Sequence, residues 1–269
     1  MPNNQTYEEL VEEYENGNEN SRPVTILGLA MTGDPRVLDF VLSLLEKPGF
    51  KHHWVVANAI YGLAEDGIVD RKAFLPLLGL LKINHHACQG FAASAIEQMI
   101  HHGILDKQAL DPLIQVVLTG NEYARDSALS ALANMAMNGI CPAEILELII
   151  DQLDGKAEWL KPLVASIISV MATRGITSKQ AFPGLHRMLR SDNSAQRVEA
   201  INAIGSLADA GIVEKQSISL LRGLRGDKRR VKLWNPETSE EVETTMDREA
   251  ERALQRIKSQ TGWDTGPSR

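Results

Sequence analysis

The chain has 269 residues, of which 43% are hydrophobic and 23% charged, and this composition excludes an intrinsically disordered protein. Aromatic residues make up only 5% of the chain, and its apolar residues are mostly Ala, Leu and Ile, which favours helix over sheet. The formal net charge of −7 argues against a protein that binds polyanions with its whole surface.

The same sequence carries no signal for export or membrane insertion. The N-terminus lacks the basic and apolar regions of a secretory signal, and no apolar run approaches the roughly 18 residues that a membrane span needs. Two cysteines, Cys88 and Cys141, are too few for a disulfide framework. We therefore expect a cytoplasmic protein with no membrane partner.

The chain opens with an acidic segment. Residues 1–20 hold six glutamates and no Lys or Arg, and they form either a polar cap, helical around Leu10, Val11 and Tyr14, or a solvated tail. Asp34-Pro35 then begins a helix, because a proline in the first turn loses no hydrogen bond.

A Gly-Ile pair recurs along the rest of the chain. Five such pairs begin 36 residues apart, at Gly67, Gly103, Gly139, Gly175 and Gly211. A glycine in this position is typical of a helix C-terminus, where it adopts the left-handed conformation that other residues resist. Each pair therefore predicts the end of one helix and a turn into the next.

Two helices fit between successive Gly-Ile pairs. The first helix of each pair carries apolar residues at i, i+3 and i+7, as at Phe74, Leu77 and Leu81. The second helix combines small with larger apolar residues, as at Ala128, Ala131 and Leu132. One pair cannot bury its apolar face alone, so the pairs must stack. We predict an all-α fold, an α-solenoid of six to seven stacked antiparallel helix pairs in one domain over 1–269, with an insertion at 226–243 and a tail at 260–269.

The second helices resemble those of HEAT repeats. Arg197-x-x-Ala200-x-x-Ala203-Ile204 and Arg125-x-x-Ala128-x-x-Ala131-Leu132 carry the likeness, which covers about residues 20–225 and 244–259, although His53, Gln89 and Lys161 replace the arginine elsewhere. The likeness extends to the HEAT-like repeats of phycobilin lyases within the armadillo/HEAT superfamily. It implies a right-handed solenoid whose second helices line a concave surface, and a protein that binds other macromolecules.

The motifs of common enzymes are absent from the sequence. There is no P-loop, no dinucleotide fingerprint, no Gly-x-Ser-x-Gly and no His-Glu-x-x-His. HEAT-like di-iron hydroxylases depend on His-Glu dipeptides, and the chain has none. We therefore expect a non-enzymatic protein without a cofactor.

Histidines occur mainly in pairs, and one arrangement suggests a metal. His52 and Cys88 are 36 residues apart in repeat register, and His85 precedes Cys88 by three positions, so the three side chains could converge on zinc. The alternative is solvated histidines at helix ends with Cys88 packed as a small apolar residue. We expect no metal, because the spacing matches no strong zinc motif.

The face of the second helices outside the apolar stripe is the candidate binding surface. Twenty positions on this face include no Lys or Arg, which disfavours a groove that follows nucleic-acid phosphates. The candidate partner-binding residues are Asn58, Tyr61, Glu65, Ser94, Glu97, His101, Ser130, Ala133, Met137, Ser166 and Val170. The alternative is a solvated wall of small residues that only sets the curvature.

The insertion provides a second candidate. Six Lys or Arg residues gather at 222–232, and the candidates within and beside them are Arg229, Arg230, Lys232 and Trp234. The glutamates that follow can pair with them across a hairpin or an irregular loop. A basic loop with an exposed Trp can instead contact an acidic partner or RNA.

These observations favour a scaffold or adaptor that binds a protein partner with its concave face. The first alternative is an accessory lyase or chaperone of the phycobilin-lyase kind. The second is nucleic-acid or acidic-partner binding through residues 222–232.

Overall fold

The computed structural model describes residues 5–235, 240–263 and 265. Its α-helices are α1 Tyr7–Asn16, α2 Arg22–Ala30, α3 Arg36–Leu45, α4 His53–Glu65, α5 Phe74–Leu81, α6 His86–His101, α7 Leu110–Thr119, α8 Glu122–Met137, α9 Pro142–Asp151, α10 Lys161–Thr173, α11 Ala181–Leu189, α12 Ser194–Asp209, α13 Lys215–Arg222 and α14 Met246–Thr261. Short 3-10 helices lie at Arg71–Ala73, Lys107–Ala109 and Gln152–Asp154, and the strands are β1 Arg230–Asn235 and β2 Glu240–Thr245.

The helices group into two compact units, Met1–Met135 and Ala136–Arg269. In unit 1 the second helices pack in sequence, α2 on α4 and α4 on α6, while α3 and α5 pack against α4 and α6 respectively. In unit 2 α10 packs on α12 and α12 on α14, with α11 and α13 against α12 and α14. The predicted pairing of a first with a second helix is thus present in both units.

The helix pairs join at the predicted glycine corners. Gly67, Gly103, Gly139, Gly175 and Gly211 all have φ between 75° and 86°. The N–H of Ile68 donates to Leu63 O at 2.8 Å, and the isoleucines after Gly103, Gly175 and Gly211 make the equivalent bond. This bond from the third residue past the helix back to its last turn is the Schellman motif, which satisfies a carbonyl that the helix leaves free.

Replacing Gly139 with Ala should test this geometry. Gly139 has a φ of 86°, where a Cβ atom clashes with the backbone, so we expect a loss of about 1 kcal/mol in the free energy of unfolding. Gly79 is the matched control, because it lies inside α5 with no atom within 4 Å of an added Cβ. Gly79→Ala should be neutral or stabilising in the same urea titration. Equal effects of the two substitutions would contradict the left-handed corner.

The acidic N-terminal segment forms a helix. Thr6 and Glu9 cap α1 with reciprocal hydrogen bonds of 3.3 and 2.8 Å. Leu10 and Tyr14 are buried, and the Tyr14 ring meets Phe40 edge-on at 5.3 Å between centroids. The helix predicted around Leu10, Val11 and Tyr14 is thus present, over Tyr7–Asn16.

The insertion forms a β-hairpin, which holds the strands of the described part of the chain. β1 and β2 are antiparallel, with Arg230 opposite Thr245 and Lys232 opposite Glu243. The base of the hairpin is fixed to α14, because buried Thr244 donates to Glu249 Oε1 at 2.8 Å. Of the two forms predicted for the insertion, the hairpin is present, and its strands extend to Thr245.

Candidate functional site

Unit 1 carries the predicted polar face on α4, α6 and residues 122–135 of α8. We call it the acidic–aromatic surface and define it by the following residues: Tyr61, Glu65, Phe91, Glu97, His101, Tyr123, Asp126, Ser130 and Asn134. Each of them is exposed or half-buried. Their contacts with one another join neighbouring second helices.

Three aromatic rings cross the acidic–aromatic surface. Tyr61 on α4 and Phe91 on α6 lie 6.3 Å apart, and Phe91 meets Tyr123 on α8 edge-on at 5.5 Å between ring centroids. Tyr123 remains 41% exposed and Phe91 is half-buried. The rings thus form a continuous aromatic row that presents edges and faces to solvent, the arrangement that receives aliphatic or cationic side chains.

Gly90 makes room for the end of this row. A Cβ atom on Gly90 would lie 2.3 Å from Cε1 and 2.4 Å from Cδ1 of Tyr123. The Tyr123 ring therefore lies directly against the α6 backbone, and only glycine permits that position.

Glu97 lies at the junction of α6 and α8. Asn134 Nδ2 donates to Glu97 Oε1 at 3.0 Å and to the Ser130 carbonyl at 3.1 Å, and His101 Nε2 is 4.0 Å from the same Glu97 oxygen. Burial raises the pKa of Glu97 to about 7, and the Asn134 hydrogen bond opposes this rise only partly. Glu97 therefore changes its charge near neutral pH.

Two more carboxyl groups flank the aromatic row. Burial, followed by the nearby Glu122 charge, raises the pKa of Asp126 to about 6, and Asp126 Oδ1 is buried without a hydrogen bond among the described residues. Tyr61 donates its hydroxyl to Glu65 Oε1 at 2.5 Å, and this bond raises the pKa of Tyr61 to about 12. Tyr61 is thus a neutral, fixed ring beside an exposed carboxylate.

Basic side chains are scarce on this face. Residues 53–65 and 86–101 contain no Lys or Arg. The Arg125 guanidinium donates to the Leu118 carbonyl on α7, at 3.3 Å, and so points to the first-helix side. The potential over the acidic–aromatic surface is therefore negative above neutral pH.

A pH-dependent stability should follow from Glu97. Because the pKa of its carboxyl is higher in the folded than in the unfolded chain, its stabilising contribution is present below about pH 4.5 and is lost as the pH rises through 7. Glu97→Gln should therefore raise the free energy of unfolding by about 1 kcal/mol at pH 8 and change it little at pH 4.5. Thermal unfolding at both pH values measures this, with exposed Glu12→Gln as the control. A gain of equal size at both pH values would contradict the burial of an ionised Glu97.

The predicted site residues differ in exposure. Glu65, His101 and Val170 are exposed, whereas Asn58, Tyr61, Ser94, Glu97, Ser130, Met137 and Ser166 are half-buried. The prediction that Ala133 is exposed is wrong, because its methyl group lies close to the helix axis and only 4% of the residue is accessible. Ser94 joins two helices through a 3.0 Å hydrogen bond to buried Ser127.

The second helices of unit 2 form a different surface. Ser169 and Ser206 hydrogen-bond across α10 and α12 at 2.8 Å, and Val170 beside them is 45% exposed. Arg256 of α14 lies against Gly205 and 3.5 Å from Asp209 Oδ2. The acidic character found in unit 1 is therefore partly neutralised here.

Cys88, the thiol of the zinc alternative with His52 and His85, packs in the core as a small apolar residue. Cys88 is fully buried, and its thiol donates to the Leu80 carbonyl at a sulfur–oxygen distance of 3.6 Å. Burial raises the pKa of that thiol to about 12, which disfavours the thiolate that zinc requires. His85 Nδ1 accepts from the Cys88 N–H as a helix cap, and the described residues contain no group of three or more potential ligands for a metal.

The basic segment at 222–232 is largely paired with carboxylates. Lys228 lies 2.5 Å from Asp247, Arg230 lies 3.5 Å from Glu243, and Arg229 pairs with Asp227. Of these pairs, Arg230–Glu243 is of the predicted kind, because it joins the basic run to a glutamate of the acidic half, whereas Lys228 and Arg229 pair with aspartates outside that half. Trp234 belongs to β1, but its side chain lies outside the described residues.

Comparisons with solved structures identify the fold. A computationally designed armadillo repeat protein for modular peptide recognition aligns over 75% of this chain and 99% of its own, with 16% identity and a TM-score of 0.59. A designed armadillo repeat protein in complex with the peptide (KR)4 covers 94% and 100%, with 17% identity and a TM-score of 0.54. The complex of CpcE and CpcF of phycocyanin lyase from Nostoc sp. PCC7120 covers 96% of each chain, with 16% identity and a TM-score of 0.50.

These matches show that the chain is an all-α solenoid of the armadillo/HEAT-like kind. No protein-family model and no curated protein matches the sequence. Of the helices that the structure describes, none combines the length and the apolar character needed to cross a membrane.

Proposed function

We propose that the chain is a non-enzymatic scaffold that binds a segment of a partner protein on the acidic–aromatic surface of unit 1. The observation that carries this proposal is the combination of three contacting rings with three carboxyl groups on a face of α4, α6 and α8 from which Arg125, the one Lys or Arg of these helices, points away. Such a surface complements a segment with Lys or Arg side chains, whose cations contact the ring faces while the carboxylates pair with them.

Asn134 fixes one of the carboxyl groups of the surface. Its amide donates to Glu97 Oε1 at 3.0 Å, which limits the entropy that Glu97 loses when a cationic side chain pairs with it. A designed solenoid of similar fold is known in complex with the peptide (KR)4, which supports the same class of ligand for this chain.

The experiment is a calorimetric titration of the protein with an octapeptide of alternating Lys and Arg. Its control is an octapeptide of alternating Glu and Ser, at the same ionic strength. We expect binding of the basic peptide alone, and stronger binding at pH 8 than at pH 5.5, because Glu97 and Asp126 then carry their charges. Equal affinity for the two peptides would contradict the proposal.

The alternative, an accessory lyase or chaperone of the phycobilin-lyase kind, has support from the match to CpcE and CpcF, which is a match of fold alone. A bilin carries carboxylates, and the acidic–aromatic surface repels them at neutral pH. A rise in melting temperature on addition of a bilin, with none on addition of the basic peptide, would favour this alternative.

A further inference from the structure

A second polar site lies in unit 1, away from the acidic–aromatic surface. The loop between α3 and α4, together with the end of α1 and the start of α2, encloses a cavity of about 160 Å³. A single water needs roughly 10–15 Å³ measured in this way, so the cavity has room for an ion of several atoms.

The cavity is basic although the protein is acidic. Arg22, Lys47, Lys51 and His52 line it, and Glu19, the one acidic residue of its lining, pairs with Lys51 at 3.0 Å. Four groups that can carry positive charge thus surround one carboxylate, in a chain whose net charge is −7. The cavity therefore presents a positive potential to an approaching anion.

Tyr14 fixes two of these cations. The Arg22 guanidinium lies 5.2 Å and the Lys47 ammonium 5.5 Å from the centroid of the Tyr14 ring, which is itself 95% buried. Arg22 Nε also donates to the Tyr14 carbonyl at 3.4 Å. These contacts hold the two cations beside the cavity before any ligand enters, which reduces the entropy lost on binding.

His52 forms part of the cavity wall. It is the N-cap residue of α4, and its ring lies 6.0 Å from that of Phe50, which also lines the cavity. Its Nε2 is buried away from water-sized space, so the donors available to an anion are those of Arg22, Lys47 and Lys51.

We propose that this cavity binds a tetrahedral oxyanion, either inorganic phosphate or the phosphate of a monoester. Arg22, Lys47 and Lys51 supply both the charge and the hydrogen-bond donors. Each of these groups donates, and an oxyanion with several acceptor oxygens satisfies them together.

The test is a calorimetric titration of the whole chain with inorganic phosphate and, separately, with O-phosphoserine, each against chloride of equal ionic strength. We expect phosphate to bind the wild type, and its dissociation constant to rise about tenfold or more in Arg22→Gln and in Lys47→Gln. Lys82→Gln, on a lysine outside the cavity, should bind like the wild type. Circular dichroism checks the fold, and Lys47→Gln decides the question if the Arg22 variant does not fold.

The two titrants distinguish the sources of the oxyanion. Binding of phosphate and phosphoserine to the same residues would place a phosphomonoester in the site, and binding of phosphate alone would restrict the site to the free ion. The proposal is overturned if phosphate has no effect beyond that of chloride, or if it binds the wild type and both cavity variants equally.

Discussion

Neutralising the three carboxyl groups of the acidic–aromatic surface is expected to weaken binding of the Lys-Arg octapeptide by about 30-fold, or about 2 kcal/mol. The variant is Glu65→Gln with Glu97→Gln and Asp126→Asn. Glu97 and Asp126 are partly buried, so their attraction for a cation is less screened than that of fully exposed ion pairs. Calorimetric titration at pH 8 measures the loss.

A second triple variant separates local from general electrostatics. Glu12→Gln, Glu46→Gln and Asp111→Asn change the net charge by the same amount on exposed residues outside this surface. We expect this control to reduce affinity by no more than about twofold, because salt screens distant charges. If both triple variants lost affinity equally, the peptide would be bound by the overall negative charge and not by this surface.

Gly90→Ala is expected to weaken peptide binding by about tenfold while the fold is retained. The added methyl group meets Tyr123 at 2.3 Å, so the ring must leave its place beside Phe91. An aromatic contact of this kind is worth about 0.5–1.5 kcal/mol, which sets the scale of the loss. Tyr123 is partly exposed and can rotate outward, so the melting temperature should change little.

Gly62→Ala is the matched control for Gly90→Ala. Gly62 lies on α4, next to Tyr61, and no atom lies within 4 Å of an added Cβ. This variant should keep wild-type affinity and gain slight stability from the better helix propensity of alanine. Unchanged binding by Gly90→Ala, with Tyr123 displaced, would remove the aromatic row from the proposed site.

The architecture could be predicted from the sequence because it depends on local rules. A glycine at each corner is needed for a positive φ, and the Gly-Ile spacing therefore marks where each helix ends. The apolar stripes predicted the buried faces of the helices because they follow the helical period. Leu63, Ile96 and Leu132 all lie in the core. The hairpin could be predicted only as one of two forms, because charge complementarity does not distinguish a strand pair from a loop.

The contacts of the site depend on side chains that reach between helices, and repeat register does not reveal them. Phe91 follows Val55 by 36 residues, and since Val55 is buried, the register assigns Phe91 to the core as well. Its ring instead bridges Tyr61 and Tyr123. The available signal was the clustering of three aromatics in consecutive second helices of a chain with only 5% aromatic residues.

Burial also differs between residues that hold similar positions in the repeat pattern. Ala133 and Ser130 both face away from the apolar stripe in the repeat pattern, yet only Ala133 is covered. The unsatisfied His52 nitrogen likewise arises from how the α3–α4 loop packs, which no spacing of residues encodes.

The central claim, that a partner segment binds to the second helices of unit 1, is tested most directly by site-specific photo-crosslinking. A photoreactive residue is placed at position 98 on α6, beside Glu97, or at position 115, exposed on the first helix α7. We expect the Lys-Arg octapeptide to be captured from position 98 and not from position 115. Capture from position 115 alone, or equally from both positions, would contradict it.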